Sequence, residues 1–459
     1  MLKDQLSAYK DIFAEHTDLR VQEMLKCRVR LQDGQLVQND FSNSSGVSVR
    51  VYKNGVFGFS SAPDRLEANV RSVLEEAERN ARILDACAKR TPAALPPIAN
   101  GSYTLAYPMK EIDRQFQLAL AREVDEYVRL HCPGLLSRTV IVNTDSIEKL
   151  SVTSNGFDAN TLMLRSHVTV MMTAEGIDGV PVTLDDYYGT RGYADEVFRE
   201  KSWLYERIDK MYREVMLKRE GVYTEAGYKD LILCPDLAGM LAHEAVGHTC
   251  EADNVLGGGV ARYYLDKPVA SELVTLVDFA HTSLGAEAPI PIYVDDEGVP
   301  GRDAVVIDRG ILKTYMHDRA SAAFFGVEPT GNARAYDYSD EPLIRMRNTA
   351  ILPGHDKLED MIAAIDNGYI LSYPANGQGD STGEFMFGAG FGMEIKKGKL
   401  ARPVRGATLS GLAFELLKTV DMLSGDMNWR SGGMCGKKTV IQTAMGGPAI
   451  KCKANIGGR

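Results

Sequence analysis

Pro235-Asp236-Leu237-Ala238-Gly239-Met240-Leu241-Ala242-His243-Glu244-Ala245-Val246-Gly247-His248 reads as an apolar helix that carries two imidazoles and a carboxylate within six residues. Pro-Asp is a helix entry, and the preceding run Tyr228 to Cys234 has the β-branched, aliphatic character of a strand. The apolar surround predicts a buried helix, and buried ionisable groups need partners. Two histidines and a glutamate at such a helix form a divalent-metal motif: imidazole nitrogens hold the ion and the carboxylate acts as base on an activated water. The common spacing of this motif is four, but His243 and His248 are five apart. At 3.6 residues per turn, a step of five rotates the second side chain by roughly 140° from the first. The helix is therefore expected to bulge or end between them, with Gly247 making the distortion cheap.

Two histidines do not complete a site. Catalytic zinc takes three protein ligands plus an open position, and Glu244 is better kept as the base. The chain has seven cysteines: Cys27, Cys87, Cys132, Cys234, Cys250, Cys435 and Cys452. Cys250 is close to His248 in sequence. Cys452 stands between two lysines, which reads as surface. Cys435, in Ser431-Gly432-Gly433-Met434-Cys435-Gly436-Lys437, has glycines on both sides that leave its thiol unobstructed, and it ranks first as third ligand. Cys250 or Glu251 as a fourth ligand would instead close the site and make a zinc structural, as in a non-catalytic regulatory or binding protein.

Working outward, the region after the helix is dominated by short strands and glycine turns: 290–295, 304–307, 311–316, 346–351, 368–373, 385–396 and 401–409, with helices near Met361 and over Leu412 to Leu423. The region before residue 220 differs. A short amphipathic helix at 2–15 leads into strands at 21–31, 35–39, 46–53 and 56–60, with Asp33-Gly34 and Asn54-Gly55 as hairpin turns. Long helices follow at 65–88, 110–130 and 196–219, with strands at 136–142, 148–154 and 162–173 between the last two, and Thr91 to Pro97 as a connector. Tyr187 to Tyr193 reads as an aromatic loop, and His167 as a satisfied sheet residue. The expected architecture is α+β in two domains. Residues 1–220 form an antiparallel sheet with long helices, and 221–459 a mostly antiparallel β-domain carrying the metal helix. Gly388-Ala389-Gly390 does not open a helix after a strand, so no dinucleotide fold is read.

The 459 residues are 44% hydrophobic and 25% charged with a net charge of −10. That is ordinary globular composition. The absence of a basic stripe argues against nucleic acid as partner. No run is long enough for a membrane span, and the scattered odd cysteines suit a reducing cytoplasm without a disulfide framework.

His243-Glu244-Ala245-Val246-Gly247-His248 together with Gly433-Met434-Cys435-Gly436-Lys437 resembles the TldD/PmbA family of metallopeptidases, in its TldD branch. Ser45-Gly46-Val47, Asp308-Arg309-Gly310, Thr330-Gly331-Asn332-Ala333-Arg334 and Arg347-Asn348-Thr349 support the resemblance. It implies one Zn²⁺ per chain held by His243, His248 and Cys435, with Glu244 as general base. It also implies a zinc-dependent protease acting on unstructured peptides, in a chamber between subunits of a homodimer or of a heterodimer with a metal-less PmbA/TldE-type paralogue. Family labels as a modulator of DNA gyrase find no support in this acidic chain. Arg334, a tyrosine of the 187–193 stretch and His317 are the candidates for a second donor to the scissile carbonyl. A zinc amidase is the other hydrolytic reading.

Overall fold

The computed structural model describes residues 6, 8–13, 16–88, 95, 101–104 and 110–457. The first sheet uses β1 (His16–Gln32), β2 (Gln35–Lys53), β3 (Val56–Pro63), β4 (Gly101–Thr104), β5 (Leu135–Thr153), β6 (Phe157–Glu175) and β7 (Pro181–Thr190). Their order is β3-β2-β1-β5-β6-β4, with β7 also on β6, and only β4 pairs in parallel. Asp33-Gly34 and Asn54-Gly55 have positive φ at both positions, as a two-residue hairpin turn requires. Three long helices accompany the sheet: α1 (Glu67–Cys87), α2 (Arg114–His131) and α3 (Ser202–Lys218).

Alternation along these strands sorts the two faces. Leu19, Val21, Val49 and Val152 pack on α1, while Val29, Leu31, Val142, Val168 and Val170 pack on α2 and α3. The opposite face lies against the second half of the chain. There Gln22 Nε2 donates to the Tyr336 carbonyl at 2.7 Å, and Lys149 Nζ donates to Asp296 at 2.6 Å. Arg50 pairs with Glu297 at 2.5 Å. The antiparallel sheet therefore has helices on one side and a largely polar contact with its neighbour on the other.

The second sheet is built from β8 (Gly227–Leu233), β9 (Leu276–Phe279), β10 (Ala304–Asp308), β11 (Asn348–Ile351), β12 (Asn367–Gly379), β13 (Glu384–Lys396), β14 (Lys399–Val404), β15 (Ala407–Leu412), β16 (Met422–Lys437) and β17 (Thr439–Gly457). From the edge strand Ile311–Leu312 the order runs β10-β9-β11-β17-β15-β13-β12-β8, and β8 pairs again with β17, so five strands close a ring. Most pairs are antiparallel, with β11–β17 and β12–β8 parallel. Between β8 and β9 lies α4 (Pro235–Leu241), whose Leu237, Ala238 and Leu241 are fully buried in the largest core cluster. The α+β organisation expected from the sequence is present.

Several elements differ from their sequence-based expectations. The strands expected at 35–39 and 46–53 are one strand, as are those at 136–142 and 148–154, because polar residues alternate through each gap without breaking the ladder. Tyr187 to Thr190 belong to β7 rather than to a loop. Residues 290–293 form no strand, since Asn348 Oδ1 takes the Ile290 N–H in place of a ladder partner. The helix expected to reach Leu423 stops at Lys418. The last two strands lie beyond those the sequence predicts: Gly432-Gly433 and Gly446-Gly447 sit in long strands where large side chains press on the backbone. A Cβ on Gly446 would lie 2.6 Å from the Trp429 ring. Of the N-terminal helix, Ala8–Ile12 form a 3-10 turn and the rest lies mostly outside the described residues, as does the 91–97 connector apart from Leu95. Among the described residues no helix is long and apolar enough to cross a membrane.

Candidate metal centre

The distortion demanded by the five-residue spacing is present. After α4 the backbone winds as a π-helical turn over Ala242–Gly247, then as a 3-10 turn over His248–Cys250. The N–H of His248 bonds to the carbonyl of His243, an i to i+5 closure that stacks the two residues on one face. Their rings lie 5.1 Å apart, edge to face. Gly247 plays a different part from the one expected. Its φ and ψ of −54° and −56° are ordinary right-handed helix values that any residue adopts. It is steric demand that fixes it: a Cβ there would lie 1.9 Å from the sulfur of buried Met346.

Cys435 comes to the same point from β16. Its Sγ lies 3.5 Å from His248 Nε2, and ligand atoms of His243, His248 and Cys435 all fall within 4.8 Å of one another. Burial opposes ionisation of this thiol, but the imidazoles of His243 and His248 overcome it and pull it down to about 5, toward the thiolate a metal needs. The His248 Nδ1 faces Glu251 Oε2 at 3.1 Å. Glu251 is fully buried and also receives Lys437 Nζ at 3.1 Å and Asn254 Nδ2 at 3.3 Å. A carboxylate on one imidazole nitrogen orients the ring and frees the other for a metal. Glu251 thus sits behind His248, three residues on along the helical turn, and not on the ligand side.

This pocket fits a zinc ion. Both ring nitrogens of His243 are buried and have no hydrogen-bond partner among the described residues, a costly state for a polar group unless something else binds there. Two imidazoles and a thiolate are a zinc donor set. Cys250 packs in the apolar core, where burial pushes its thiol well up, and it is absent from the donor cluster. Cys452 is also buried, against the surface position expected from its lysine neighbours, because β17 is covered on both faces.

Glu244 Oε2 lies 3.8 Å from His248 Nε2, at the junction of two clefts. One, of about 370 Å³, is lined by His248, Gly377 to Ser381 and Lys437. The other, of about 650 Å³, opens between the polar face of the first sheet and the strands β12 and β16. Gly377 is needed here, since a Cβ would fall 2.7 Å from Glu244 Cγ. Of the candidate second donors, Tyr187 lines the larger cleft with Glu244. Arg334 is buried elsewhere, donating to the carbonyls of Met346 and Gln442 at 2.5 and 2.9 Å. His317 pairs with Ser321 Oγ at 3.2 Å among Tyr315 and Phe325. Among the described residues the donor cluster has three members, as an open metal site would.

Residues 226–458 match the PmbA/TldA metallopeptidase C-terminal domain, and 17–81 match PmbA/TldA metallopeptidase domain 1. The metalloprotease TldD homolog of Buchnera aphidicola subsp. Schizaphis graminum is 31% identical over 93% of this chain and 89% of its own. The zinc metalloprotease TldD homolog of Saccharolobus solfataricus is 33% identical over 64% of this chain and 65% of its own. In fold, TldE from Thermococcus kodakarensis superposes with a TM-score of 0.77 over the full length of both chains at 18% identity. With the first of these relatives matching nearly end to end, and the C-terminal match spanning both the His243–His248 turn and Cys435, the chain belongs to the PmbA/TldD metallopeptidase family.

Proposed function

We propose that this chain is a zinc-dependent peptidase that hydrolyses unfolded or short peptides, with His243, His248 and Cys435 as the ligands of one Zn²⁺ and Glu244 as general base. The observation that carries this reading is the convergence of a buried imidazole, a half-buried imidazole and a buried thiol, from separate elements, beside a carboxylate that opens onto two clefts. When bound, zinc would supply Lewis acidity, acidifying water and polarising a carbonyl. The protein supplies the rest. Glu251 holds His248 through Nδ1, and Lys437 and Asn254 hold Glu251. Glu244 Oε2 takes the proton of the attacking water and returns it to the leaving amine nitrogen. Tyr187 is the second donor best placed to meet the scissile carbonyl.

The rival reading, a structural zinc in a binding protein, needs a fourth protein ligand. The core position of Cys250 and the placement of Glu251 behind His248 weigh against it. Residues 1–220 and 221–459 are taken as two units, the first roofing the cleft and the second holding the metal. The partner is a second copy or a metal-less paralogue of TldE type, and the compartment is the cytoplasm. A first test measures zinc and cleavage of an unfolded casein-type substrate for wild type, Cys435→Ala and Glu244→Gln, alone and with the paralogue. Zinc and activity should both be lost with Cys435→Ala. With Glu244→Gln, zinc should stay while turnover falls about 10²–10⁴-fold. Zinc retained in Cys435→Ala would refute the ligand assignment, and normal turnover by Glu244→Gln would refute its role as base.

A further inference from the structure

The roof of the larger cleft has a charge pattern that the hydrolytic chemistry does not use. Because Val29, Val142 and Val168 face the helices, Lys26, Arg28, Asn143, Asp145, Arg165 and His167 take the cleft face. The strand register sets them in two rows. Arg28, Asn143 and His167 lie side by side across β1, β5 and β6, and so do Lys26, Asp145 and Arg165.

Most of these charges are already matched. Arg165 donates to the Ser431 carbonyl at 2.6 Å and lies 3.7 Å from Asp145, which also accepts from Gln442 at 2.6 Å. Arg430 lies over the Tyr187 ring and 4.0 Å from Asp186, with Asp185 also near it. Two cations are left over. Among the described residues, neither Lys26 nor Arg28 forms an ion pair or a hydrogen bond, and Lys26 Nζ rests 4.6 Å above the Tyr336 ring. Beside them His167 is only 6% exposed. Its Nε2 accepts from Asn143 Nδ2 at 2.9 Å, so the ring hydrogen sits on Nδ1, which is buried and has no partner among the described residues. Burial, with Arg165 and Arg28 nearby, pushes this imidazole down to about 3, so it is a neutral donor at working pH.

We propose that Lys26, Arg28 and His167 form an anchor for a carboxylate of the bound peptide, either its C-terminal carboxylate or an Asp or Glu side chain. Two unpaired cations on the wall of the cleft that holds Glu244, beside a buried and unsatisfied imidazole N–H, are suited to a single small anion through charge-assisted hydrogen bonds. A polyanion is disfavoured, since Asp145, Asp185 and Glu244 line the same cleft. The anchor rests on the reading of this cleft as the substrate groove of a peptidase, and it would favour substrates by the position of a carboxylate rather than by the side chains around the scissile bond.

The test uses the full-length zinc-loaded Glu244→Gln chain, whose slowed turnover lets binding be read, and fluorescence anisotropy with three N-terminally labelled peptides of one uncharged sequence. One has a free C-terminal carboxylate, one is amidated, and one is amidated with a single internal Glu. The carboxylate peptides should bind at least about tenfold more tightly than the neutral amide. That ratio should collapse toward one in the added Lys26→Gln/Arg28→Gln pair, and should shrink as salt rises from about 0.05 to 0.5 M. Preference for the free acid alone assigns the C-terminus, and preference for the internal Glu assigns a side chain. Equal affinity for all three peptides, or an unchanged ratio in the double variant, would overturn the anchor. Failure of the peptidase reading registers separately, as no cleavage of any of these peptides by the zinc-loaded chain carrying Glu244, with or without the paralogue, whatever the binding ratio.

Discussion

Gly247→Ala places two well-characterised effects in opposition. In an ordinary helix interior, alanine is favoured over glycine by about 1 kcal/mol, and the helical φ and ψ of Gly247 present no backbone obstacle. Backbone propensity alone therefore predicts a more stable protein. Packing predicts the reverse. The new Cβ would lie 1.9 Å from Met346 Sδ, 3.0 Å from its Cε and 3.3 Å from its Cγ. Met346 is fully buried in the largest core cluster, and its carbonyl is held by Arg334 at 2.5 Å. An overlap of this size cannot be absorbed in place, and overpacking of this kind costs about 1–3 kcal/mol. Sterics should win or at least cancel the propensity gain, leaving the variant about 0–2 kcal/mol less stable than wild type. If the strain is relieved by shifting the π-helical turn, the alignment of His243 with His248 is lost and zinc affinity falls as well. Thermal unfolding of the metal-free chains and chelator competition for zinc measure the two effects. Met346→Ala in the same chain makes room for the methyl, so the two substitutions should couple favourably in a double-mutant cycle. A Gly247→Ala protein with a raised melting temperature and unchanged zinc affinity would refute the steric account.

Two further substitutions test the surroundings. Glu251→Gln keeps the shape behind His248 but removes the charge that orients its ring, so zinc affinity should fall about 10–100-fold in chelator competition, and an unchanged affinity would exclude an orienting role. Asp318 caps a helix by accepting from the Ser321 N–H at 2.7 Å, while burial and the nearby Glu297 push its carboxyl up to about 6 from 3.8. A raised carboxyl favours the folded state fully below the unfolded value of 3.8 and loses that contribution as pH rises through 6. Asp318→Asn retains an acceptor for the cap, so it should be more stable than wild type by about 1–3 kcal/mol near pH 8, with the gain vanishing toward pH 4. Melting curves across that range check the sign, and a variant less stable at pH 8 would count against it.

Local sequence carried much of the chemistry. His243, Glu244 and His248 announced a site because residue types and spacing are local facts, and a step of five on a helix is geometrically incompatible with one shared ion unless the backbone changes its winding. The π-helical turn was legible for that reason. The hairpins at Asp33-Gly34 and Asn54-Gly55 were legible because φ > 0 at both turn positions is a property of those two residues. The glycine-rich strands β16 and β17 were not. Their glycines at 432 and 446 answer to Tyr187 and Trp429 pressing on the backbone from outside, information that is not contained in the segment itself.

What the sequence by itself determined was thus the pairing of two histidines with a glutamate on one helix, the distortion between the histidines and the alternation that gives each strand two faces, all of which follow from short-range covalent geometry. Tertiary structure alone decided which thiol joins the histidines, since Cys250 and Cys435 differ only in whether the chain turns them into the core or toward His248. It also decided that Glu251 stands behind His248 rather than in front of it, and that Lys26 and Arg28 share a cleft with Glu244 more than two hundred residues away. Those relations depend on how separate sheets meet, and long-range packing is set by the whole chain rather than by any one stretch of it.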